Sequence, residues 1–227
     1  MSYKSHSLNS HLIESELSVI RQGSPFDLND LAKFGPLFGF LSALDKDFVS
    51  QLEVIDVGGQ GGRLGRHMKD NLNIHLGKYS VLENRQFVNL ASSRAEFGCD
   101  FRTIDDSDQW IGPKILVMSN CIQYLNWEEI TKLFELRSLA AIFILKTPLI
   151  DTKTLPVPFS QKSRMGDHGP AAELRGRSQE IITDGYFYSL ESLKNLTDKT
   201  CHLLFVDHTP EWTHEGSQIY NYSLVLT

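Results

Sequence analysis

The residues with the strongest chemical potential lie in two short stretches. The first, Asp56-Val57-Gly58-Gly59-Gln60-Gly61-Gly62-Arg63-Leu64-Gly65, follows an apolar run and is dense in glycine. Glycine loses more backbone entropy on folding than any other residue, so such a cluster implies a tight turn or a ligand lying against bare backbone. Three nucleotide motifs compete for it. The phosphate loop requires Gly-Lys followed by Ser or Thr, and the chain's Gly77-Lys78 is followed by Tyr79. The dinucleotide fingerprint G-x-G-x-x-G is broken in either frame. The pattern D-x-G-x-G-x-G is met by Asp56, Gly58 and Gly62, with Gln60 in place of the middle glycine. The second stretch spans residues 160–178 and carries Lys162, Arg164, Asp167, His168, Glu173, Arg175 and Arg177. His168 beside Asp167 is suited to removing a proton near neutral pH. Arg164, Arg175 and Arg177 have forked donors that grip phosphate or carboxylate. The same residues also suit a solvated loop with incidental charges, and that alternative stays open.

Around these stretches the hydrophobic pattern alternates. Leu52–Val57, Tyr79–Leu82, Phe101–Ile104, Ile115–Met118 and Ala140–Leu145 are short apolar runs predicted as strands. Helices are expected at Leu64–Lys69, around Phe87, Val88 and Ala91, and after Asn126, where Asn126 and Glu129 form a capping box. Alternating strands and helices imply an α/β, doubly wound, Rossmann-like and mostly parallel sheet. Leu203–Val206 and Tyr220–Leu226 have no convincing helix between them, so the last strand should run antiparallel. In such sheets ligands bind beyond the carboxyl ends of the strands, where strand order reverses, and a glycine turn after the first strand lies there.

Residues 1–50 are predicted to form amphipathic helices, with Leu31, Phe34, Phe38 and Leu41 at helical spacing and Gly35-Pro36 as punctuation. They would serve as a packing cap or as a lid over a ligand. The remainder, 51–227, reads as one domain with an insertion at 151–185, a segment without sustained periodicity. A loop of that length inside a compact domain is usually functional or disordered.

Totals narrow the function classes. The chain has 227 residues and a formal net charge of −6, which argues against broad nucleic-acid binding through phosphates. No apolar run approaches the roughly 20 residues of a membrane span, and the first residues lack the pattern of a signal peptide. Cys99, Cys121 and Cys201 are odd in number and widely spaced, as expected of buried thiols in a cytoplasmic protein rather than a disulfide framework or metal site. His67 and His75 have no ligand-spaced partners and are expected at the surface.

From residue 50 to 146 the chain resembles the class I S-adenosylmethionine-dependent methyltransferases, here with a seven-stranded sheet whose last strand is antiparallel. The resemblance rests on the order of four partial motifs. Asp56, Gly58, Gly59, Gln60 and Gly62 stand at the cofactor turn. Glu83, followed by Asn84, ends the second strand, where the family's acid accepts from the ribose hydroxyls. Asp105 and Asp106 follow the third, near the adenine in the family. Ser119, Asn120 and Gln123 follow the fourth, flanking the methionine end. More narrowly, the chain is similar to a group of bacterial methyltransferases associated with surface-polysaccharide genes. It shares their doubled glycine, Ile122-Gln123-Tyr124-Leu125, Thr147-Pro148 and the aromatic segment Tyr186-Phe187-Tyr188-Ser189 before a helix. The implied cofactor is S-adenosyl-L-methionine and the implied partner a small-molecule or saccharide acceptor, methylated on oxygen. Arg164, Arg175, Tyr124 and Tyr186 are the acceptor-binding candidates and His168 the base. The tyrosines are equally suited to core packing. A non-catalytic module binding the cofactor or a nucleotide is the alternative.

Overall fold

The computed structural model describes residues 26–92, 98–107, 111–150, 156–165, 179–207, 212–214 and 217–227. Helix α1 (Leu28–Ala43) starts at Asp27, whose side chain accepts from the Asp30 amide. It runs through Pro36 without a break, so Gly35-Pro36 is not the punctuation expected. Buried Phe34, Leu37 and Leu41 on both sides of the proline hold the helix against the sheet. A short turn of helix, α2 (Lys46–Val49), then leads to strand β1 (Glu53–Val57).

The sheet grows outward from β1. Helix α3 (Arg63–Asp70), β2 (Lys78–Leu82), α4 (Arg85–Ala91) and β3 (Asp100–Arg102) follow in turn. A 3₁₀ turn at Ile104–Asp106 shortens the third strand relative to the sequence expectation. Strand β4 (Lys114–Ser119) lies on the other side of β1, and a 3₁₀ turn (Ile122–Tyr124) and α5 (Trp127–Phe134) follow it. The predicted capping box is present: the Asn126 side chain accepts from the Glu129 amide and the Glu129 carboxylate from the Asn126 amide, both at 2.9 Å.

Strand β5 (Leu139–Ile150) is longer than its apolar run. Beyond it the chain forms β6 (Val157–Met165) and β7 (Gln179–Ser189), then α6 (Leu190–Lys194), β8 (Cys201–Val206), β9 (Trp212–His214) and β10 (Ser217–Leu226). Seven strands follow the order β3-β2-β1-β4-β5-β10-β8, with β10 antiparallel to both neighbours, as expected. The other three are additions to that path. Most notably, β6 and β7 pair antiparallel, Val157 opposite Phe187 through Met165 opposite Gln179. The 151–185 segment, expected to lack regular structure, thus contributes most of a hairpin.

The continuous apolar strands are explained by cover on both faces. Along β4, Ile115 and Val117 pack towards α1 and α3, while Leu116 and Met118 pack towards Ile130 and Leu133 of α5. No helix among the described residues is long and apolar enough to cross a membrane.

Candidate functional site

Strand order reverses between β1 and β4, so the crevice beyond their carboxyl ends is the place where this architecture binds ligands. The backbone there is unusual. Five non-glycine residues among those described have positive φ, and two of them, Asn73 and Ser138, occupy connections that lead into strands. The other three are Gln60 (φ 50°), Asn120 (φ 51°) and Lys146 (φ 44°), near the carboxyl ends of the β1, β4 and β5 stretches that pair side by side. Left-handed backbone is unfavourable for residues with a side chain and persists where surrounding structure over-determines it, typically at functional sites.

At the turn after β1, the surroundings do so through partly buried contacts. The Gly58 amide donates to the Leu82 carbonyl at 2.9 Å, continuing the β1–β2 ladder. The Gln60 amide donates to Glu83 Oε1 at 3.0 Å, so the acid ending β2 holds the left-handed residue of the turn. Asp56 lies beneath: Tyr79 Oη donates to its Oδ2 at 2.6 Å. Gly59 leaves space for that carboxylate, since a Cβ there would collide with it. Gly62 takes φ 73° and starts α3. The glycines therefore serve internal packing as well as an open crevice.

Burial is the main force on Asp56, pushing its carboxyl from the ordinary 3.8 to about 7. The Tyr79 hydrogen bond pulls the other way, the Glu83 charge pushes further up, and the Lys33 cation on α1 favours the carboxylate. Helix α1 is tied to this side of the crevice by an ion pair between Asp30 and Arg63, the first residue of α3. His67 is not the surface residue expected. It stacks on Phe26 at 4.2 Å, and burial followed by the charge of Arg63 lowers its pKa. The thiols are free, and only Cys121 is fully buried. Burial pushes Cys99 up to about 12 and Cys121 well above its ordinary value, which removes them as nucleophiles.

The other sequence candidates distribute around the crevice. Asn84 is buried and caps α4, its Oδ1 accepting from the Phe87 amide at 2.9 Å. Asp105 is exposed and meets Lys132 at 3.1 Å, while Asp106 accepts from the Thr103 hydroxyl at 2.8 Å. Asn120 and Gln123 are linked, Gln123 Nε2 donating to the Asn120 carbonyl at 3.1 Å and to its side chain at 3.0 Å. Ser119 Oγ at the end of β4 is buried and has no hydrogen-bond partner among the described residues.

The hairpin covers the far side of this end of β4. Beyond the point where β4 stops, β7 takes its place beside β5, Leu149 pairing with Tyr188 and Ile150 with Ser189. Gly185 packs onto the turn after β4, where a Cβ would come within 2.5 Å of the Gln123 carbonyl oxygen. Tyr188 is buried and donates to the Leu125 carbonyl at 2.6 Å, so its role is packing. Tyr124 and Tyr186 are partly buried against the same core cluster. Arg164 lies on β6 opposite Glu180 of β7. His168 and Arg175 lie outside the described residues.

Sequence reasoning did not find Lys146, or the buried set in which Arg102 reaches Glu53 and Ser80 beneath the sheet. No periodicity marks either, because both depend on which strands become neighbours.

A donor-and-acceptor set of this kind fits S-adenosyl-L-methionine: an acid at the end of β2, an unpartnered hydroxyl at the end of β4, and a bare glycine turn between them. Among the described residues no group of three or more His, Cys, Asp or Glu side chains could hold a metal ion.

No protein-family model and no curated protein matches the chain. Solved structures do. DesVI from Streptomyces venezuelae is 11% identical, with a TM-score of 0.51 over 98% of this chain and 99% of its own. A SAM-dependent methyltransferase from Anabaena variabilis is 12% identical, with a TM-score of 0.47 over 97% of this chain and 96% of its own. The 1,6-didemethyltoxoflavin-N1-methyltransferase of Burkholderia thailandensis, solved with S-adenosylhomocysteine bound, is 11% identical, with a TM-score of 0.41 over 97% and 90%. The likeness to DesVI, which runs over nearly the whole of both chains, is one of fold.

Proposed function

We propose that this protein is an S-adenosyl-L-methionine-dependent methyltransferase that methylates an oxygen of a small or saccharide acceptor. The observation that carries the reading is Glu83 at the rim of the glycine turn, its carboxylate holding the Gln60 amide at 3.0 Å at the sheet's switch point. A carboxylate so placed suits a vicinal diol, and the left-handed backbone at Gln60 and Asn120 frames the space on either side.

In this reading Glu83 holds the ribose end, Asp105 or Asp106 lies towards the base, and Ser119, Asn120 and Gln123 flank the methionine end. The cofactor's sulfonium supplies an already activated methyl group. What remains for the protein is alignment, which contributes on the order of 7–11 kcal/mol at best. Tyr124 and Tyr186 would present the acceptor beneath the β6–β7 hairpin, Arg164 and Arg175 would hold its anionic or sugar part, and His168 would take the hydroxyl proton. The saccharide acceptor rests on the sequence resemblance to the polysaccharide-associated group.

The test is release of S-adenosylhomocysteine from S-adenosylmethionine in the presence of a panel of sugars, uronic acids, sugar phosphates and phenols. Acceptor-dependent release supports the reading. Cofactor binding without release on any acceptor would favour the non-catalytic module.

A further inference from the structure

The bulge in β5 is the feature the function above does not use. Between β5 and β10 the register slips: Tyr222 faces Thr147, but Leu224 faces Ile144, so Leu145 and Lys146 together oppose Ser223. Lys146 is the left-handed residue of that bulge, a position where glycine is the usual occupant. Its amide donates to Ser223 Oγ at 3.0 Å, which fixes the bulge in place. The side chain is exposed, and Lys146 forms no ion pair among the described residues.

Its position in the register matters as much. Ser119 of β4 is the neighbour of Leu145, and the Asn120 amide donates to the Leu145 carbonyl at 3.1 Å. Asn120 and Lys146 thus each follow a residue of the last β4–β5 pair, both left-handed and both exposed. Beyond them β7 replaces β4 at the edge of β5, so the pair lies at the threshold between the glycine-turn crevice and the hairpin. A bulge re-aims a side chain near a site. A lysine at a left-handed bulge position, where glycine is the usual occupant, is an outlier of the kind that clusters at ligand sites.

We infer that Lys146, with Asn120 beside it, forms an anion subsite that holds a carboxylate or phosphate group of the methyl acceptor. The inference rests on the methyltransferase reading for the word acceptor, while the anion site stands on the bulge and on a cation that forms no ion pair among the described residues. Lys146 is then a specificity-determining residue: it fixes which end of the acceptor faces the methyl group. An acidic protein with a cation placed at its crevice draws anionic ligands to that point.

The test uses the full chain and two variants, Lys146→Gln and Lys146→Gly, each titrated with inorganic phosphate and, separately, with acetate. The backbone amide resonances of Asn120 and residue 146 report binding, with and without S-adenosylhomocysteine. Saturable shifts at both amides in the parent are expected. Binding should be at least fivefold weaker in both variants, with S-adenosylhomocysteine affinity within twofold of the parent. Preference for phosphate over acetate, or the reverse, identifies the anionic group of the acceptor. Lys146→Gly should melt at or above Lys146→Gln, because glycine relieves the left-handed backbone. Absence of a saturable shift in the parent, equal anion binding in all three proteins, or a lower melting temperature for the glycine variant would overturn the inference. Failure of S-adenosylhomocysteine to bind would sink the methyltransferase reading alone, because the anion titrations of the ligand-free protein are judged separately.

Discussion

At the turn after β1, partly buried polar contacts fix the chain: Glu83 holds the Gln60 amide, Tyr79 holds Asp56, and Gly59 yields its space to the Asp56 carboxylate. Across the crevice, the β6–β7 hairpin is attached differently. Aromatic packing and two pairs of the β5–β7 ladder hold it, with Trp127 of α5 stacked on Tyr188 at 5.7 Å and Tyr188 bonded to the Leu125 carbonyl. One side of the crevice is a tight turn built around a buried acid. The other is a long-range cover whose position depends on a strand ending early. In the proposed function the turn is the cofactor side, which needs constant geometry, and the hairpin is the acceptor side, which can change without disturbing the turn.

The sharpest break between the two sides is in pH dependence, because the turn side carries the buried acid. Asp56 keeps its proton up to about 7 in the folded protein, whereas the unfolded chain releases it near 3.8. Between those values the unfolded state binds fewer protons, so stability falls as pH rises from about 4 to about 7 and is level above. The fall attributable to this group is on the order of 4 kcal/mol. Asp56→Asn should remove most of it, seen in urea midpoints for parent and variant across that range. Parallel curves would place the dependence elsewhere.

Matched substitutions come next. Gly59→Ala presses a methyl into the Asp56 carboxylate, and Gly185→Ala presses one onto the Gln123 carbonyl. Each should destabilise by roughly 1–3 kcal/mol. Only Gly59→Ala should weaken S-adenosylhomocysteine binding substantially. Gly185→Ala should leave that affinity within twofold, as measured by calorimetry. Equal losses in both variants would mean that turn and hairpin act as one unit. The smallest effect belongs to Tyr188→Phe, which removes the hydrogen bond to Leu125 for about 1 kcal/mol. Chemical denaturation should detect that loss without a change in cofactor affinity.

The same contrast explains what could be read in advance. Strands β1, β2 and β4, the capping box and the order of Gly58, Glu83 and Ser119 are local patterns, and local physics fixes them. The helix through Pro36 was not legible, because burial of Phe34, Leu37 and Leu41 overrides the proline's local preference. Nor was the hairpin: Val157–Met165 has a proline, charges and a mixed pattern, and it becomes a strand only because β7 lies beside it. Lys146 falls just after the apolar run Ala140–Leu145 and nothing local marks it, since a bulge is defined by the partner strand. Asn84 read as a ligand residue from its place after Glu83, and its cap on α4 was the simpler local signal.

If the turn and Glu83 cradle the cofactor, calorimetry with S-adenosylhomocysteine on the parent and on Glu83→Gln will show it. The glutamine variant keeps an oxygen to accept from the Gln60 amide, so the ligand-free melting temperature should stay within a degree or so. Loss of a charged hydrogen-bond acceptor for the ribose hydroxyls is worth about 1.5–3 kcal/mol. The parent should therefore saturate, and the variant should bind roughly 10- to 150-fold more weakly. A parent that does not bind, or a variant that binds as tightly as the parent, would contradict that placement of the cofactor.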